Sequence, residues 1–419
     1  MDILDDLRFR DLLYQVTEED ELAKRLKSGP ITLYIGFDPT ADSLHVGSLL
    51  PILGLRRFQM AGHRPIPLVG GGTGLIGDPS GKTSERTLNP LELIDTWTDK
   101  IRLQLERFLD FETKDNPAQM ANNYEWLGNV QFITFLRDIG KYFSINNMLA
   151  KDAVKSRLDT GISFTEFSYV ILQSYDFLKL NEKYNCEMQA GGSDQWGNIV
   201  SGIDLIRKVS NKKAYGLTFP LVTKEDGTKF GKTEAGTIWL DRDKTSPYQF
   251  YQFWINSEDV DVIKYIKYFT FLTHAEITAL EEEVRNNPGK REAQRVLAKE
   301  VTALVHGGEA QLKAEKISRA LFYGSITELT EDELEDALKD VPSVEVRDKE
   351  EQNIVDMLLL CGAAPSKRQA RQDIRNGAIY INDQCIKDEH TILFPAERLW
   401  AKYLVVRRGK KSYFLLKWL

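Results

Sequence analysis

The alternation of strand-like and helix-like segments over residues 1–220 limits the possible folds of this chain most strongly. Ile31 to Phe37 (ITLYIGF) is mostly apolar, as expected of a strand buried on both faces, and it ends in Asp-Pro-Thr. Leu49 to Met60 has helical periodicity that ends at Ala61-Gly62, and Arg64 to Val69 predicts a second strand that runs into a row of glycines. This order predicts a parallel α/β sheet with helices on both of its faces.

The rest of the chain predicts further elements and a change of character after residue 220. Further helices are predicted at 91–109, 132–142 and 164–178, and a strand at 187–189. From Ser246, which suits an N-cap and is followed by Pro247, the pattern is helical to about Tyr323. An acidic linker and a small mixed module, from about Asn353, are predicted to follow.

Composition excludes several classes of protein. The chain has 419 residues, is 42% hydrophobic and 28% charged, and carries a net charge of −7, values typical of a globular protein. Three cysteines without a CxxC pair and five scattered histidines argue against a disulfide framework and a zinc site. The start is acidic and no apolar run reaches 18 residues, so we expect a cytoplasmic protein without a membrane span.

Charge is unevenly distributed along the chain. Residues 365–419 hold 12 Lys/Arg and 5 Asp/Glu, whereas residues 328–351 hold 11 acidic and 3 basic residues. A basic terminal module behind an acidic stretch is typical of chains that bind nucleic acid at one end.

A glycine-rich segment follows the second predicted strand. Gly72 to Gly77 (GTGLIG) matches the dinucleotide-binding spacing, but that motif requires a helix to begin at once. Asp78-Pro-Ser-Gly-Lys-Thr83 follows instead, which is loop chemistry and disfavours a nicotinamide site. A glycine-rich loop with a lysine at the carboxyl end of a strand still suits phosphate or another polar ligand.

Two further segments have the residues of a nucleotide site. Asp38-Pro-Thr40 and His45-Val-Gly-Ser48 lie where the first strand passes into a helix, so Thr40 and His45 can donate to phosphate, and Gly47 lets a flat ring approach the backbone. Lys229-Phe-Gly-Lys-Thr233 places two lysines three residues apart. Taken alone, these segments are also compatible with an ordinary helix cap and a solvated basic loop.

One predicted helix has a polar face. Tyr169, Gln173 and Asp176 are spaced by four and three residues and therefore lie on one side of a helix whose other positions are mostly apolar. A solvent-exposed face is the ordinary interpretation. The apolar and aromatic character of the segment favours a polar pocket instead.

These segments together resemble the bacterial tyrosyl-tRNA synthetases, a family of class I aminoacyl-tRNA synthetases. His45-Val-Gly-Ser48 is similar to the family's HIGH motif and Lys229–Thr233 to its KMSKS loop. Tyr34–Asp42, Gly77–Ser80 and Gly191–Asn198 resemble family segments almost letter for letter, and 365–382 resembles an RNA-binding module shared with a ribosomal protein. Ser48 and Ile35 depart from the family, which usually has a second histidine and often has a small polar residue or cysteine there; both positions approach ATP in the family.

The resemblance implies the fold and the reaction. It implies a Rossmann-like catalytic domain (1–220), an all-α domain with the KMSKS-type loop (221–323), an acidic linker (324–352) and a small α+β RNA-binding domain (353–419). ATP and tyrosine would give tyrosyl-adenylate and pyrophosphate, and the tyrosyl group would pass to tRNA(Tyr). Mg²⁺ would bind through the ATP phosphates, with no dedicated metal site and no organic cofactor, and the family is typically a homodimer.

Residue roles are assigned within the reaction that the resemblance implies, and single surface bases such as Lys151 are also compatible with a merely solvated position. The phenol of tyrosine would be recognised by Tyr34 and Asp176, and its ammonium by Asp78, Tyr169 and Gln173. Residues assigned to catalysis are Thr40, His45, Gly47, Ser48, Lys82, Arg86, Lys229, Lys232 and Thr233. Those assigned to ATP binding are Asp38, Thr40, His45, Ser48, Asp194, Gln195 and Lys232. Those assigned to tRNA are Lys151, Arg207, Lys208, Lys367, Arg368, Arg371, Arg407, Arg408, Lys410 and Lys411.

Two other functions are compatible with the sequence. One is another nucleotidyltransferase with a HIGH-type motif, which the helical and RNA-binding regions disfavour. The other is a catalytically decayed RNA-binding relative, which Ser48 favours and the retained Lys82, Arg86, Lys229 and Lys232 disfavour. Tyrosine-dependent ATP–pyrophosphate exchange distinguishes all three.

Overall fold

The structure is a computed structural model that describes residues 2–80, 87–155, 157, 161–224, 230–233, 236–322, 324–339, 341–347, 352–409 and 412–418. For residues 152, 153, 232, 233 and 352 it describes the backbone alone. The described chain forms two compact units, Met1–Thr245 with Asn256–Val301, and Ser246–Ile255 with Thr302–Leu419.

Helices and strands have the following bounds. The helices are α1 Ile3–Phe9, α2 Glu19–Lys27, α3 Val46–Met60, α4 Leu91–Leu105, α5 Tyr124–Leu127, α6 Phe132–Asp138, α7 Ile145–Leu149, α8 Asp152–Lys155, α9 Phe164–Tyr184, α10 Trp196–Ser210, α11 Pro247–Ile255, α12 Asp259–Phe269, α13 His274–Asn286, α14 Glu292–His306, α15 Gly308–Phe322, α16 Glu331–Ala337, α17 Ile354–Leu360 and α18 Lys367–Arg375. The strands are β1 Gln15–Val16, β2 Thr32–Phe37, β3 Arg64–Val69, β4 Ala121–Asn122, β5 Cys186–Gly192, β6 Tyr215–Phe219, β7 Lys232–Thr233, β8 Gly236–Thr237, β9 Ser343–Val346, β10 Gln352–Asn353, β11 Ile379–Ile381, β12 Gln384–Ile386, β13 Ile392–Leu393, β14 Tyr403–Arg408 and β15 Ser412–Trp418. Within the described residues, none of these helices has both the length and the apolar composition that a membrane span requires.

The main sheet of the first unit has the strand order β1-β6-β5-β2-β3-β4. Its β2–β3, β3–β4, β2–β5 and β5–β6 pairs are parallel, and β1 is antiparallel to β6. The order reverses around β2, so the carboxyl ends of β2 and β5 form a switch point, where open α/β sheets bind their ligands.

Helices cover both faces of this sheet. On one face, Tyr34 of β2 packs against Phe177 of α9, with ring centroids 5.3 Å apart. On the other face, the ring of Phe219 in β6 reaches Gly54 of α3, where an added Cβ would lie 2.5 Å from it. The predicted α/β fold class with a parallel sheet is therefore confirmed.

The predicted elements of the first unit are present with adjusted ends. The helix predicted over 49–60 begins at Val46, and the one predicted over 91–109 ends at Leu105. The helix predicted over 132–142 ends at Asp138 and is followed by a 3-10 turn, whereas α9 continues to Tyr184. The strand predicted over 187–189 spans Cys186–Gly192.

The second unit joins helices to a small sheet. Its sheet has the order β12-β11-β14-β15-β9, and α17 packs against α18 beside a core that includes Ile354, Leu358 and Ile374. The helix α11, which begins at Pro247 as predicted, packs against α15. Because α12 and α13 belong to the first unit instead, the helical region predicted over 221–323 is divided between the two units.

The acidic segment is folded, so its prediction as a linker is wrong in its described part. It contains α16, whose Leu334 is buried, and β9, which pairs in parallel with β15 and buries Val346. Acidic side chains of α16 pair with lysines, for example Glu333 with Lys316 of α15 at 2.7 Å. The prediction rested on the number of charges and overlooked the few apolar residues, such as Leu334 and Val346, that are buried when this segment packs.

Buried arginines join the ends of α1 and α3 to the end of α12 in the first unit. Arg57 donates to the carbonyl oxygen of Thr270 at 2.6 Å, and Arg10 donates to that of Leu272 at 2.6 Å. Asp6 pairs with Arg10 at 2.8 Å and with Arg57 at 3.6 Å. Burial lowers the pKa of Arg57, and Asp6 opposes that shift.

Substituting Arg57 with methionine should lower the free energy of unfolding by about 3 kcal/mol, because the buried carbonyl group of Thr270 loses its donor at 2.6 Å and Asp6 loses one of its cationic partners. Urea denaturation of both variants measures the change. The control is Arg64→Met at the exposed start of β3, which should stay within about 0.5 kcal/mol of wild type. An equal loss in both variants would contradict the structural role of Arg57.

Candidate active site

A cavity of about 190 Å³ lies at the carboxyl ends of β2, β3 and β5. All five side chains predicted to recognise tyrosine line it. They are Tyr34, Asp78, Tyr169, Gln173 and Asp176. Tyr34 comes from β2, and Tyr169, Gln173 and Asp176 come from α9, so the spacing of the polar helix face correctly indicated a pocket.

Tyr34 and Asp176 line this cavity and are both almost fully buried. The Tyr34 hydroxyl is buried and has no hydrogen-bond partner within the described residues. Asp176 accepts from Asn123 Nδ2 at 2.9 Å and from Trp126 Nε1 at 2.7 Å. An unpartnered buried hydroxyl in the same cavity as an accepting carboxyl group suits a ligand that carries a hydroxyl of its own.

Burial dominates the electrostatics at this end. It raises the pKa of Asp176 to about 8, while the hydrogen bonds from Asn123 and Trp126 act in the opposite direction. Burial, and then the nearby Asp176, raises the pKa of Tyr34. A ligand hydroxyl that donates to Asp176 would favour the carboxylate, as Asn123 and Trp126 do.

A hydrogen-bond network connects Asp176 to Asp38. Asn123 Nδ2 donates to Thr73 Oγ1 at 2.8 Å as well as to Asp176, and Thr73 Oγ1 donates to Asp38 Oδ1 at 2.7 Å. The Tyr169 hydroxyl donates to Asp38 Oδ2 at 2.6 Å. Burial raises the pKa of Tyr169, so its hydroxyl stays protonated and retains an oxygen that can accept.

The opposite end of the cavity is rich in acceptors. Asp78 accepts from the backbone N–H of Ser80 at 2.9 Å and from Gln195 Nε2 at 2.7 Å. Asn198 Nδ2 donates to Gln173 Oε1 at 2.9 Å, which orients that oxygen. Burial raises the pKa of Asp78. A ligand ammonium placed here would favour the charged carboxylate.

Sequence reasoning missed Thr73, Asn123, Trp126 and Asn198. Asn123 and Trp126 follow β4, which is only two residues long and gives no strand signal. Thr73 lies within the glycine-rich segment, and Asn198 lies in the first turn of α10. Asn123 directly follows the end of β4, and the other three lie four to six residues beyond a strand end, which was the available signal.

A second cavity of about 320 Å³ adjoins the first and shares Gly36, Asp38, Pro51 and Gly192 with it. The residues predicted for ATP that line it are Asp38, Thr40, His45, Ser48 and Asp194, together with Gly47. Gln195, also predicted for ATP, lines the first cavity and bonds to Asp78 instead. Of the two departures from the family, Ile35 lines the first cavity and Ser48 the second.

His45 caps the amino terminus of α3. Its Nδ1 accepts from the backbone N–H of Gly47 at 3.0 Å, and this bond assigns the proton to Nε2, which is then a donor. A Cβ on Gly47 would lie 2.8 Å from His45 Cε1. The glycine is therefore required by the histidine ring itself, in addition to any approach of a ligand.

The other predicted phosphate contacts are only partly described. Lys82, Arg86 and Lys229 lie outside the described residues. Lys232 and Thr233 form β7, whose backbone pairs antiparallel with β8. Gly231, just before them, has φ +78°, and a Cβ there would lie 2.6 Å from Val46 Cγ1, so this backbone lies against the start of α3.

The basic residues predicted to bind tRNA from the first unit make local contacts. Lys151 Nζ donates to the carbonyl oxygen of Gly197 at 2.9 Å, and burial lowers its pKa. Arg207 and Lys208 are exposed, and both pair with Asp204, at 2.5 and 2.6 Å. Each of these cations is therefore already engaged by a neighbour within the first unit.

The basic residues of the terminal module differ in their surroundings. On α18, Arg368 and Arg371 are exposed, and Lys367 pairs with Asp356 at 2.7 Å. Arg407 lies over the Tyr380 ring at 3.8 Å. Arg408 donates to the carbonyl oxygen of Ala363 at 3.1 Å and pairs with Asp373 at 2.8 Å, so it contributes to the fold of the module. Lys410 and Lys411 lie outside the described residues.

The donor set does not form a protein metal cage. Within the described part of the chain, no group of three or more His, Cys, Asp or Glu side chains is arranged to hold a metal ion. The two cavities instead offer hydroxyl, amide, imidazole and carboxyl groups, which suit a polar organic ligand and a nucleotide.

Family models match nearly the whole chain. Residues 26–323 match the model described as tRNA synthetases class I (W and Y), and residues 333–416 match the tyrosine–tRNA ligase SYY-like C-terminal domain. The chain is 62% identical over 420 residues to a tyrosine–tRNA ligase of Desulfitobacterium hafniense and 59% identical over 419 residues to that of Geobacillus stearothermophilus, each alignment covering 100% of both chains.

Solved structures agree with these matches. A C-terminally truncated mitochondrial tyrosyl-tRNA synthetase of Aspergillus nidulans has a TM-score of 0.70 and 31% identity over 77% of this chain and 94% of its own. A tyrosyl-tRNA synthetase of Archaeoglobus fulgidus, with TM-score 0.56 and 16% identity over 74% of this chain and 100% of its own, shares the fold.

Proposed function

The chain belongs to the tyrosine–tRNA ligases of the class I tRNA synthetases, and we propose that its two adjoining cavities carry out the activation step of that reaction. As a ligase of this family it uses ATP to activate tyrosine, giving tyrosyl-adenylate and pyrophosphate. It then transfers the tyrosyl group to the 3′ end of tRNA(Tyr).

The first cavity binds tyrosine in this proposal. The observation that carries it is the buried Tyr34 hydroxyl, which has no partner among the described residues and lies in the same cavity as Asp176. A phenol can accept from Tyr34 and donate to Asp176. The ammonium then lies among Asp78, Tyr169 and Gln173. Phenylalanine would offer no partner to the buried Tyr34 hydroxyl and would add no hydrogen bond to those that Asp176 accepts from Asn123 and Trp126.

The second cavity binds ATP. His45 Nε2, Thr40 and Ser48 can donate to phosphate or ribose oxygens, and the amino terminus of α3 favours negative charge. The shared residue Asp38 lies where tyrosine and nucleotide meet. Residues assigned to the phosphates from the family alone are Lys82, Arg86, Lys229, Lys232 and Thr233. Asp194 and Gln195 are assigned to polar contacts of the adenylate.

The chemistry of activation needs no general base. The tyrosine carboxylate is already ionised, and it attacks the α-phosphorus of ATP while pyrophosphate leaves with the electron pair. The protein contributes alignment of the two substrates and donors for the charge that develops on the phosphate oxygens. Mg²⁺ enters as the ATP complex, no organic cofactor takes part, and the compartment is the cytoplasm, where tRNA is charged.

A homodimer is part of the proposal. Helix α6 and the segment around α7 expose apolar side chains, with relative exposures of 62% for Phe132, 74% for Ile133 and 66% for Ile145. Exposed apolar residues that cluster in sequence favour a protein contact, and a second copy of the chain is the family's usual partner.

Transfer RNA is held by the basic module in this proposal. Exposed Arg368 and Arg371 on α18 offer phosphate contacts, with Lys367 beside them in sequence. A second basic run near the end of the chain contains Arg407, Lys410 and Lys411. Lys151, Arg207 and Lys208 are proposed to contact the acceptor stem. Arg408 is the least favoured of the assigned residues because Asp373 and Ala363 already engage it.

Charging of tRNA(Tyr) with labelled amino acids tests the function. We expect tyrosine to be attached, and phenylalanine and tryptophan to be attached at negligible rates. Efficient attachment of tryptophan would show that the pocket has been assigned to the wrong amino acid.

Removal of the terminal module should separate the two steps. A chain ending at Phe322 should fold and form tyrosyl-adenylate at a near-normal rate, because both cavities lie before that point and a truncated relative was crystallised. It should charge tRNA at least about tenfold more slowly at low enzyme concentration, and its tRNA affinity should lose most of its salt dependence. Exchange and charging are measured on one preparation whose thermal melting is cooperative.

Two results would contradict the assignment of adenylate formation to residues up to 322 and of tRNA binding to the residues after them. A folded truncation that charges tRNA normally would remove the module as RNA anchor. A folded truncation without exchange activity would place part of the adenylate site beyond residue 322.

A further inference from the structure

The segment that follows β8 lies directly against the His45 turn. The backbone N–H of Val46 donates to the carbonyl oxygen of Ile238 at 2.9 Å, and the N–H of Leu240 donates to that of Leu44 at 2.9 Å. Trp239 pairs with His45 as an antiparallel bridge. The backbone on both sides of the histidine is therefore held by residues 238–240.

The same segment also holds the backbone beside Lys232. The N–H of Ile238 donates to the carbonyl oxygen of Gly231 at 3.0 Å. Lys232 pairs with Thr237 in the β7–β8 ladder. Any displacement of residues 237–240 would thus move His45 and Lys232 together.

An ion pair secures this segment from its far end. Lys244 Nζ lies 2.6 Å from Asp42 Oδ1, three residues before His45, and its ammonium lies 5.3 Å from the centroid of the Trp239 ring. The Trp239 ring meets the His45 ring edge-on, with centroids 6.4 Å apart. The loop between Trp239 and Lys244 is closed by a bond from the Trp239 N–H to Thr245 Oγ1 at 3.0 Å.

The other partner of Asp42 has no part in this arrangement. Lys100 Nζ approaches Asp42 Oδ2 at 3.2 Å from α4, and it is about half exposed, at 49%. Neither Asp42, Lys100 nor Lys244 is among the described residues that line either cavity. Lys244 therefore acts on the reaction through its contacts with Asp42 and the Trp239 ring, which position the His45 turn.

We infer that Asp42, Trp239 and Lys244 form a clip that fixes His45 and the backbone of β7 in the geometry needed for adenylate formation, with Lys244 as a positioning residue. The inference rests on the proposed function of the second cavity. Small displacements of groups that align two substrates cost much of the rate, whereas a partly exposed ion pair contributes little to folding. The clip should thus affect the reaction far more than the stability.

Single-turnover formation of tyrosyl-adenylate at saturating ATP and tyrosine tests the clip. Lys244→Met should slow it by about tenfold or more, with an unchanged tyrosine Kd and melting temperature. Lys244→Arg should recover most of the rate, because it keeps the charge and the contact with the Trp239 ring. The matched control Lys100→Met, which removes the other cation from the same carboxylate, should stay within about twofold of wild type.

Asp42→Asn provides an independent second variant. It should show the loss of Lys244→Met, and combining the two should add nothing, because both break the same unit. A wild-type rate in Lys244→Met or in Asp42→Asn, or an equal loss in Lys100→Met, would overturn the clip. Failure of the wild-type chain to form adenylate with tyrosine would instead overturn the proposed function on which the clip depends.

Discussion

Substitution of Asp176 by alanine should lower the ratio of kcat/KM for tyrosine over phenylalanine by about a hundredfold, which corresponds to about 2.7 kcal/mol of lost discrimination. The phenol of tyrosine loses its acceptor. Phenylalanine is no longer placed against a buried carboxyl group to which it cannot donate, so that part of the penalty against it disappears. Steady-state exchange with each amino acid measures the ratio.

Tyr34→Phe is the matched comparison for Asp176→Ala. It removes only the buried hydroxyl that has no partner among the described residues, and it leaves Asp176 with Asn123 and Trp126. We expect a smaller loss of discrimination, about tenfold, because one neutral hydrogen bond is removed. An unchanged ratio in Asp176→Ala would remove Asp176 from the amino-acid site.

Substitution of Lys232 by alanine should slow adenylate formation by about a thousandfold or more while the tyrosine Kd changes little. Its backbone lies in β7, next to the His45 turn and the second cavity, away from the Tyr34–Asp176 end of the first. An interaction that forms mainly in the transition state lowers kcat and leaves ground-state binding intact. Stopped-flow measurement of binding and chemistry separates the two.

The control for Lys232→Ala is Lys299→Ala on the exposed surface of α14, which should behave as wild type. Loss of tyrosine binding with normal chemistry in Lys232→Ala would contradict the assignment of Lys232 to the phosphates.

Much of the first unit could be predicted because its information is local. The segment Thr32–Phe37 is mostly apolar because the sheet is covered on both faces, and the polar residues after it mark a strand end. The spacing of Tyr169, Gln173 and Asp176 indicated a pocket correctly, because α9 presents that face to the switch point of the sheet.

The missed parts depend on contacts that are distant in sequence. Asn123 and Trp126 reach Asp176 across about 50 residues, and no period or motif marks them. The strand β9 becomes a strand because β15 pairs with it, and its four residues lie within a segment dominated by charge. Lys244 and Asp42 are single charges whose pairing only the folded chain reveals.

Tyrosine-dependent ATP–pyrophosphate exchange on the full chain tests the central claim most directly. The measurement needs no tRNA, so it examines the two cavities alone, and parallel reactions contain phenylalanine, tryptophan or no amino acid. The account predicts rapid exchange with tyrosine and negligible exchange with phenylalanine, with tryptophan or without an amino acid. This holds although Ser48 and Ile35 depart from the residues usual in the family. Exchange that is absent with tyrosine in a folded preparation, or equal with phenylalanine, would contradict it.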